Sequence, residues 1–161
     1  MRKFGVWGIL LAMGLYLCLD GCLKKSSSAP CTPRTVQADE PLILSYLAAN
    51  NITNYQKHAS GLYYTIDSLG NGVAPNASSK VYVTYTGRFT DNTIFESRTA
   101  NETGWVLGTL LQGWQIGLTL IGKGGHIHLY IPSALGYGCQ AAGPVPANSV
   151  LVFDITLVDV S

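Results

Sequence analysis

The chain has 161 residues, with Lys+Arg 10 against Asp+Glu 9 and a formal net charge of +1. That balance lacks the basic stripe with which a nucleic-acid binder neutralises phosphates. Only 12% of residues are charged and 47% are apolar, which excludes both a charge-laced coiled coil and a chain disordered throughout. The 18 glycines and nine tyrosines, among many Val, Ile and Thr, point instead to a turn-rich β domain.

The N-terminal stretch reads as a targeting segment. Arg2 and Lys3 precede an uncharged apolar run from Phe4 to Leu19. That run is shorter than the roughly 20 residues a membrane-spanning helix needs. A charged start, an apolar middle and a small residue at the end describe a secretory signal over residues 1–21. Its ending, Leu19-Asp20-Gly21-Cys22, resembles the lipobox of bacterial lipoproteins. The resemblance implies cleavage before Cys22, lipidation of that residue and a membrane anchor. An uncleaved anchor or an ordinary exported protein is the alternative. Residues 22–38 then form a polar, flexible tether.

Cysteine arithmetic follows from this reading. Cys18 leaves with the signal and Cys22 carries lipid, so Cys31 and Cys139 remain. An even pair in an oxidising compartment is expected to form a disulfide, with two free thiols as the alternative.

A helix is expected over Asp39–Ile52, with Asp39 as N-cap, Pro41 in the first turn and Asn50-Asn51 at the exit. Leu44, Leu47 and Ala48 share its apolar face, with Ile43 beside them. This defines a helical extension over residues 39–57, before a domain over residues 58–161. From Gly61 the apolar period changes to two. Leu62, Tyr64 and Ile66 alternate up to the Gly70-Asn71-Gly72 turn, and Val81, Val83 and Tyr85 face one side of a second strand. Asp91-Asn92 turns the chain into Ile94-Phe95, and Trp105–Leu107 is a short strand. Leu110, Trp114, Leu118 and Ile121 mark one short helix. Ile127, Leu129 and Ile131 alternate again, residues 132–149 form a long Gly/Pro loop, and residues 150–158 form the last strand. The expected fold is α+β, an antiparallel sheet of about five strands with one short helix.

This order of segments resembles the FKBP-type peptidyl-prolyl isomerases. The resemblance rests on Val81-Tyr82-Val83-Thr84-Tyr85-Thr86-Gly87, Phe95-Glu96-Ser97-Arg98, Leu107-Gly108 and Gly113-Trp114-Gln115-Ile116-Gly117-Leu118. It continues through Gly124-Gly125, Ile131-Pro132-Ser133-Ala134-Leu135-Gly136-Tyr137-Gly138, Val145-Pro146-Ala147-Asn148-Ser149 and Leu151-Val152-Phe153-Asp154. It implies a curled antiparallel sheet wrapped around the helix, with an apolar pocket between them. The signal and the front helix look like those of exported FKBP-type lipoproteins of Gram-negative bacteria. By resemblance Trp114 is the pocket floor, and Tyr85, Phe95 and Phe153 are its aromatic walls. The Tyr137 hydroxyl and the Leu111 backbone N–H are donors to substrate carbonyls. Leu110, Val145 and Trp105 complete the binding surface, and Glu96 joins the hydrogen-bonding network where the family usually carries Asp. Thr103 stands where an aromatic residue is common.

The implied activity is cis-trans isomerisation of X-Pro bonds in exported polypeptides, in the cell envelope and outer membrane, without cofactor, metal or nucleic acid. The rival is a non-catalytic binding module or holdase on the same fold. Other motifs carry less. Gly122-Lys123-Gly124-Gly125 lacks phosphate-loop spacing. His126 and His128 lie two apart on one strand face, a metal-ligand spacing, but with no third ligand near in sequence an exposed face is expected.

Overall fold

The structure is a computed structural model that describes residues 30–99 and 104–161. The signal, Cys22 and Thr103 lie outside the described residues. One antiparallel sheet holds seven strands: β1 (Gln56–Lys57), β2 (Tyr63–Ser68), β3 (Lys80–Arg88), β4 (Ile94–Arg98), β5 (Trp105–Val106), β6 (His126–Ile131) and β7 (Leu151–Val160). Their order is β1-β2-β6-β7-β3-β4, with β5 also paired to β3. β5 is the short strand expected at Trp105, whereas β1, a two-residue strand too short to show a period, was not expected. Two helices join the sheet, α1 (Val36–Ala49) and α2 (Gln112–Leu118).

The inner face of the sheet follows the period-two pattern. Val81, Val83 and Tyr85 from β3, Ile127, Leu129 and Ile131 from β6, and Leu151, Phe153, Ile155 and Leu157 from β7 form one buried cluster with Trp114 and Leu118 of α2. Two helix glycines make this packing possible. A Cβ on Gly113 would stand 2.7 Å from Ile131 Cδ1, and one on Gly117 2.4 Å from Leu129 Cδ2. Each glycine costs about 1 kcal/mol of helix propensity, so α2 owes its stability to the β6 side chains it rests on.

A second cluster lies on the outer face, where Ile43, Tyr46 and Leu47 of α1 pack on Tyr63, Tyr130, Val150 and Val152. Tyr63 and Thr65 of β2 are therefore buried although the alternation points them outward. The helix starts before the expected Asp39. Thr35 is the N-cap and accepts from the Ala38 N–H at 3.2 Å. The stripe of Ile43, Tyr46 and Leu47 packs on the sheet, and Leu44, expected on the apolar face, is exposed.

Asp39, freed from capping, is wholly buried. Its Oδ2 accepts from the Ser133 N–H at 2.8 Å and the Ser133 hydroxyl at 2.5 Å, while Arg34 Nε stands 2.9 Å from Oδ1. Farther along the N-terminal arm, Asn148 Nδ2 donates to the Thr32 carbonyl at 3.0 Å and Asn148 Oδ1 accepts from the Arg34 N–H at 3.2 Å. Cys31 and Cys139 come to bonding distance, with Cα atoms 5.6 Å apart. The arm is thereby fastened to both ends of the loop that follows β6.

Candidate functional site

The concave face of the sheet meets the start of α2 around a cavity of about 170 Å³. Pockets for drug-sized ligands hold roughly 300–1,000 Å³, so this one suits a single side chain of a longer chain. Tyr85, Glu96, Trp105, Leu110, Leu111, Trp114, Tyr137 and Phe153 line it. Three of the rings hold one another edge to face. Trp114 meets Tyr85 at a centroid distance of 5.0 Å and 85°, and Phe153 at 5.2 Å and 89°. Such contacts add about 0.5–1.5 kcal/mol each beyond burial and fix the ring planes. Trp114 is 4% exposed, and its indole N–H has no hydrogen-bond partner among the described residues.

Phe95 and Val145 do not line the cavity. Phe95 stands behind Phe153, with ring centroids 5.6 Å apart at 90°, and leans on Phe89 at 5.0 Å. It can reach Phe153 because position 87 is glycine. A Cβ there would lie 2.5 Å from Phe95 Cζ and 2.9 Å from Phe153 Cε1. Val145 is buried in the inner cluster, held in its loop by mutual backbone bonds with Ala142 at 2.9 Å. Trp105 reaches the cavity from β5, 6.1 Å from Tyr85, with the Arg98 guanidinium 5.3 Å above its ring.

The polar groups sit at the rim. Burial, then interaction with the Glu96 carboxylate, pushes the Tyr85 phenol far above its ordinary range. Burial, then the charge of Glu96, raises the Tyr137 phenol as well. Both hydroxyls therefore keep their protons at neutral pH. The Tyr137 hydroxyl makes no hydrogen bond to a described residue, and neither does the Leu111 N–H just before α2. These are two open donors beside apolar walls.

Two contributors escaped the sequence reading. Gln115 Nε2 donates to the carbonyls of Leu110 at 2.8 Å and Gly108 at 3.2 Å, which shapes the turn that presents Leu110 and Leu111. Its place one turn into α2 was the available signal. Asp39 anchors Ser133, four residues before Tyr137, and no local pattern announces a contact across 94 positions.

The histidines are also better surrounded than their spacing suggested. Asp67 and Asp154 stand beside His126 and His128 on the outer face, so donors distant in sequence are close in space.

The sequence profile of the FKBP-type peptidyl-prolyl cis-trans isomerases matches residues 72–158. The chain belongs to this family. An FkpA isomerase of Aeromonas hydrophila is 40% identical over 116 residues, which cover 70% of this chain and 43% of the relative. The FkpA of Escherichia coli K12 is 41% identical over 104 residues, 63% of this chain and 38% of the relative. The chain thus spans about two fifths of the length of these relatives. The crystal structure of FkpA from Escherichia coli superposes with a TM-score of 0.69 at 32% identity, covering 78% of this chain and 61% of that one. A peptidyl-prolyl isomerase from Pseudomonas syringae superposes with a TM-score of 0.66 at 29% identity, covering 81% of this chain and 99% of that one. The curled sheet around α2 is the fold these proteins share.

Proposed function

We propose that the chain is a peptidyl-prolyl cis-trans isomerase that assists the folding of exported proteins. The observation that carries this reading is the small aromatic cavity flanked by two open donors. Rotating a peptide bond costs about 18–20 kcal/mol because amide resonance must be broken. No bond to carbon forms or breaks and no proton need move. The planar amide is more charge-separated than the twisted one, so apolar walls disfavour the ground state more than the transition state. The prolyl ring enters over Trp114, between Tyr85 and Phe153. The Tyr137 hydroxyl and the Leu111 N–H hold the flanking carbonyls while the bond turns. Trp105 and Leu110 contact the neighbouring residues. Glu96 orients Tyr85, and Phe95 and Val145 support the walls from behind.

A proline-switch assay on a short X-Pro peptide tests the activity. Acceleration by the folded chain, lost in Trp114→Ala, is expected. A folded chain that gives none, either as it stands or with Glu96→Asp, would be a binding module or holdase instead.

The N-terminal readings complete the proposal. Residues 1–21 are removed, Cys22 is lipidated and the polar stretch after it tethers the protein to the periplasmic face of the outer membrane. Of the expected tether 22–38, the part from Cys31 on is instead fastened to the domain or belongs to α1, which braces the domain at 58–161. No helix among the described residues is long and apolar enough to cross a membrane. Mass spectrometry of the mature N-terminus checks this, and an unmodified Cys22 with residues 1–21 attached contradicts it. The Cys31–Cys139 pair is bridged in the exported protein, and free-thiol counting after denaturation finds neither thiol reactive.

A further inference from the structure

The outer face of the sheet carries a cluster that the isomerase reading leaves unused. His126 and His128 point outward from β6, two residues apart, with ring centroids 4.9 Å apart. The register of β2 on β6 shifts between Ile66 and Ser68, and Asp67 is the bulged residue. A bulge re-aims a side chain, and this one sets a carboxylate between the two imidazoles. Asp67 Oδ2 lies 3.0 Å from His126 Nδ1 and 3.0 Å from His128 Nε2. One ligand atom from each of the three residues falls within 4.8 Å of the others. From β7, Asp154 Oδ1 accepts from the remaining nitrogen of His126, Nε2, at 2.7 Å.

We propose that Asp67, His126 and His128 bind a divalent transition-metal ion of the zinc type on the outer face of the sheet, with Asp154 orienting His126. Zinc takes imidazole nitrogen at about 2.0–2.1 Å and carboxylate oxygen at about 2.0–2.2 Å. Tetrahedral donors at those lengths stand about 3.4 Å apart, close to the two separations of 3.0 Å. Once Nδ1 of His126 faces the metal, its Nε2–H donates to Asp154, the carboxylate-to-imidazole contact that fixes tautomer and ring plane at metal sites. Two carboxylates, Asp67 and Asp154, face the two imidazoles. Among the described residues, no Lys or Arg forms an ion pair with either carboxylate. The rings are about a quarter exposed, which leaves a way in and room for water as a fourth ligand.

The test titrates the untagged, chelator-treated full chain with Zn2+ by calorimetry, and with Co2+ by absorption. A single ion should bind. Cobalt should show four-coordinate visible bands without thiolate charge transfer, which separates this site from cysteine binding. His126→Gln with His128→Gln should abolish binding, and Asp154→Asn should weaken it about 10–100-fold. Zinc should raise the midpoint of thermal unfolding in the wild type, because it binds only the folded cluster. It should also protect the two histidines from diethyl pyrocarbonate, a readout that needs no variant. X-Pro isomerisation, on the opposite face, should be unchanged by zinc, so failure here leaves the isomerase reading intact. Absence of binding, wild-type affinity in the double variant, or unprotected histidines would overturn the proposal.

Discussion

The two faces of the sheet use the same strands for opposite purposes. On β7, Phe153 turns inward to an aromatic cavity while Asp154 turns outward to His126. On β6, Leu129 and Ile131 receive α2 while His126 and His128 meet carboxylates. Inside, position is set by packing: interlocking rings and helix glycines seated on aliphatic side chains. Outside, α1 packs an apolar stripe on Tyr63, Tyr130, Val150 and Val152, and polar contacts across long sequence distances fix the arm and the carboxylates beside the histidines. Where apolar contact sets position, a strand's period reports it. Where single polar bonds do, the strand pattern is silent.

The contrast breaks most visibly at its outer fastenings. Changing both Cys31 and Cys139 to serine releases a tie across 108 positions. The chain-entropy account gives a loss of about 4–5 kcal/mol for a loop of that length. Denaturant unfolding should show it as a lower midpoint. Because Asp39 still holds Ser133, the folded variant should keep its isomerase rate. A rate that collapses with the disulfide, in protein that remains folded, would mean that the arm governs the cavity directly.

Phe153→Ala tests the inner face. Its ring is 2% exposed and touches Tyr85, Phe95 and Trp114. Removal should cost about 3–5 kcal/mol of stability and lower activity further, since a wall of the cavity disappears. The measurement compares kcat/KM under conditions where both proteins are folded. Equal activity would show that substrate does not use this wall.

How the sequence announced each face follows from the same physics. The inner strands were legible because alternation over β3, β6 and β7 is long and clean, and Trp114 was placed by the segments around it. The start of α1 lies four residues before the cap its sequence suggests, because Asp39 is a good capping residue and only the buried Ser133 gives it a better use. Leu44 and Ile43 are adjacent in sequence and both apolar, and the stripe of Ile43, Tyr46 and Leu47 is the one that Tyr63, Tyr130, Val150 and Val152 receive, a choice made by the sheet and not by the helix. Phe95 stands against Phe153 and does not line the cavity, because an aromatic ring beside a pocket has two places to stand. The glycine at 87 lets it stand behind Phe153. The Asp67 contact depends on a bulge, one extra residue that no period records.

A smaller effect should come from Gly113→Ala. The added Cβ would meet three atoms of Ile131 at 2.7, 2.7 and 3.0 Å. Ile131 is fully buried and branched at Cβ, so it has little freedom to yield. Overpacking costs about 1–3 kcal/mol, and the gain in helix propensity returns about 1 kcal/mol. A net loss of about 0–2 kcal/mol is expected, seen as at most a modest fall in the thermal midpoint. Trp114 is the next residue, so α2 should lift the cavity floor with it. Activity should fall more than stability does. An unaltered rate would show that the floor tolerates movement.

The finest test is Tyr137→Phe, which removes one oxygen and leaves the ring. In the free protein that hydroxyl bonds no described residue, so its loss orphans no described partner and stability should stay within about 0.5 kcal/mol of wild type. Its pKa is raised by burial and by the charge of Glu96, so at neutral pH it carries a proton to donate. A neutral hydrogen bond contributes about 0.5–1.5 kcal/mol. If that bond forms to the substrate carbonyl and strengthens as the amide twists, kcat/KM should fall about two- to tenfold. Because Phe preserves the apolar surface, the loss isolates the donor from the wall. A loss confined to KM would make the hydroxyl a binding contact held equally in ground and transition states. An unchanged kcat/KM would remove it from the substrate altogether and leave the Leu111 N–H as the donor at the rim.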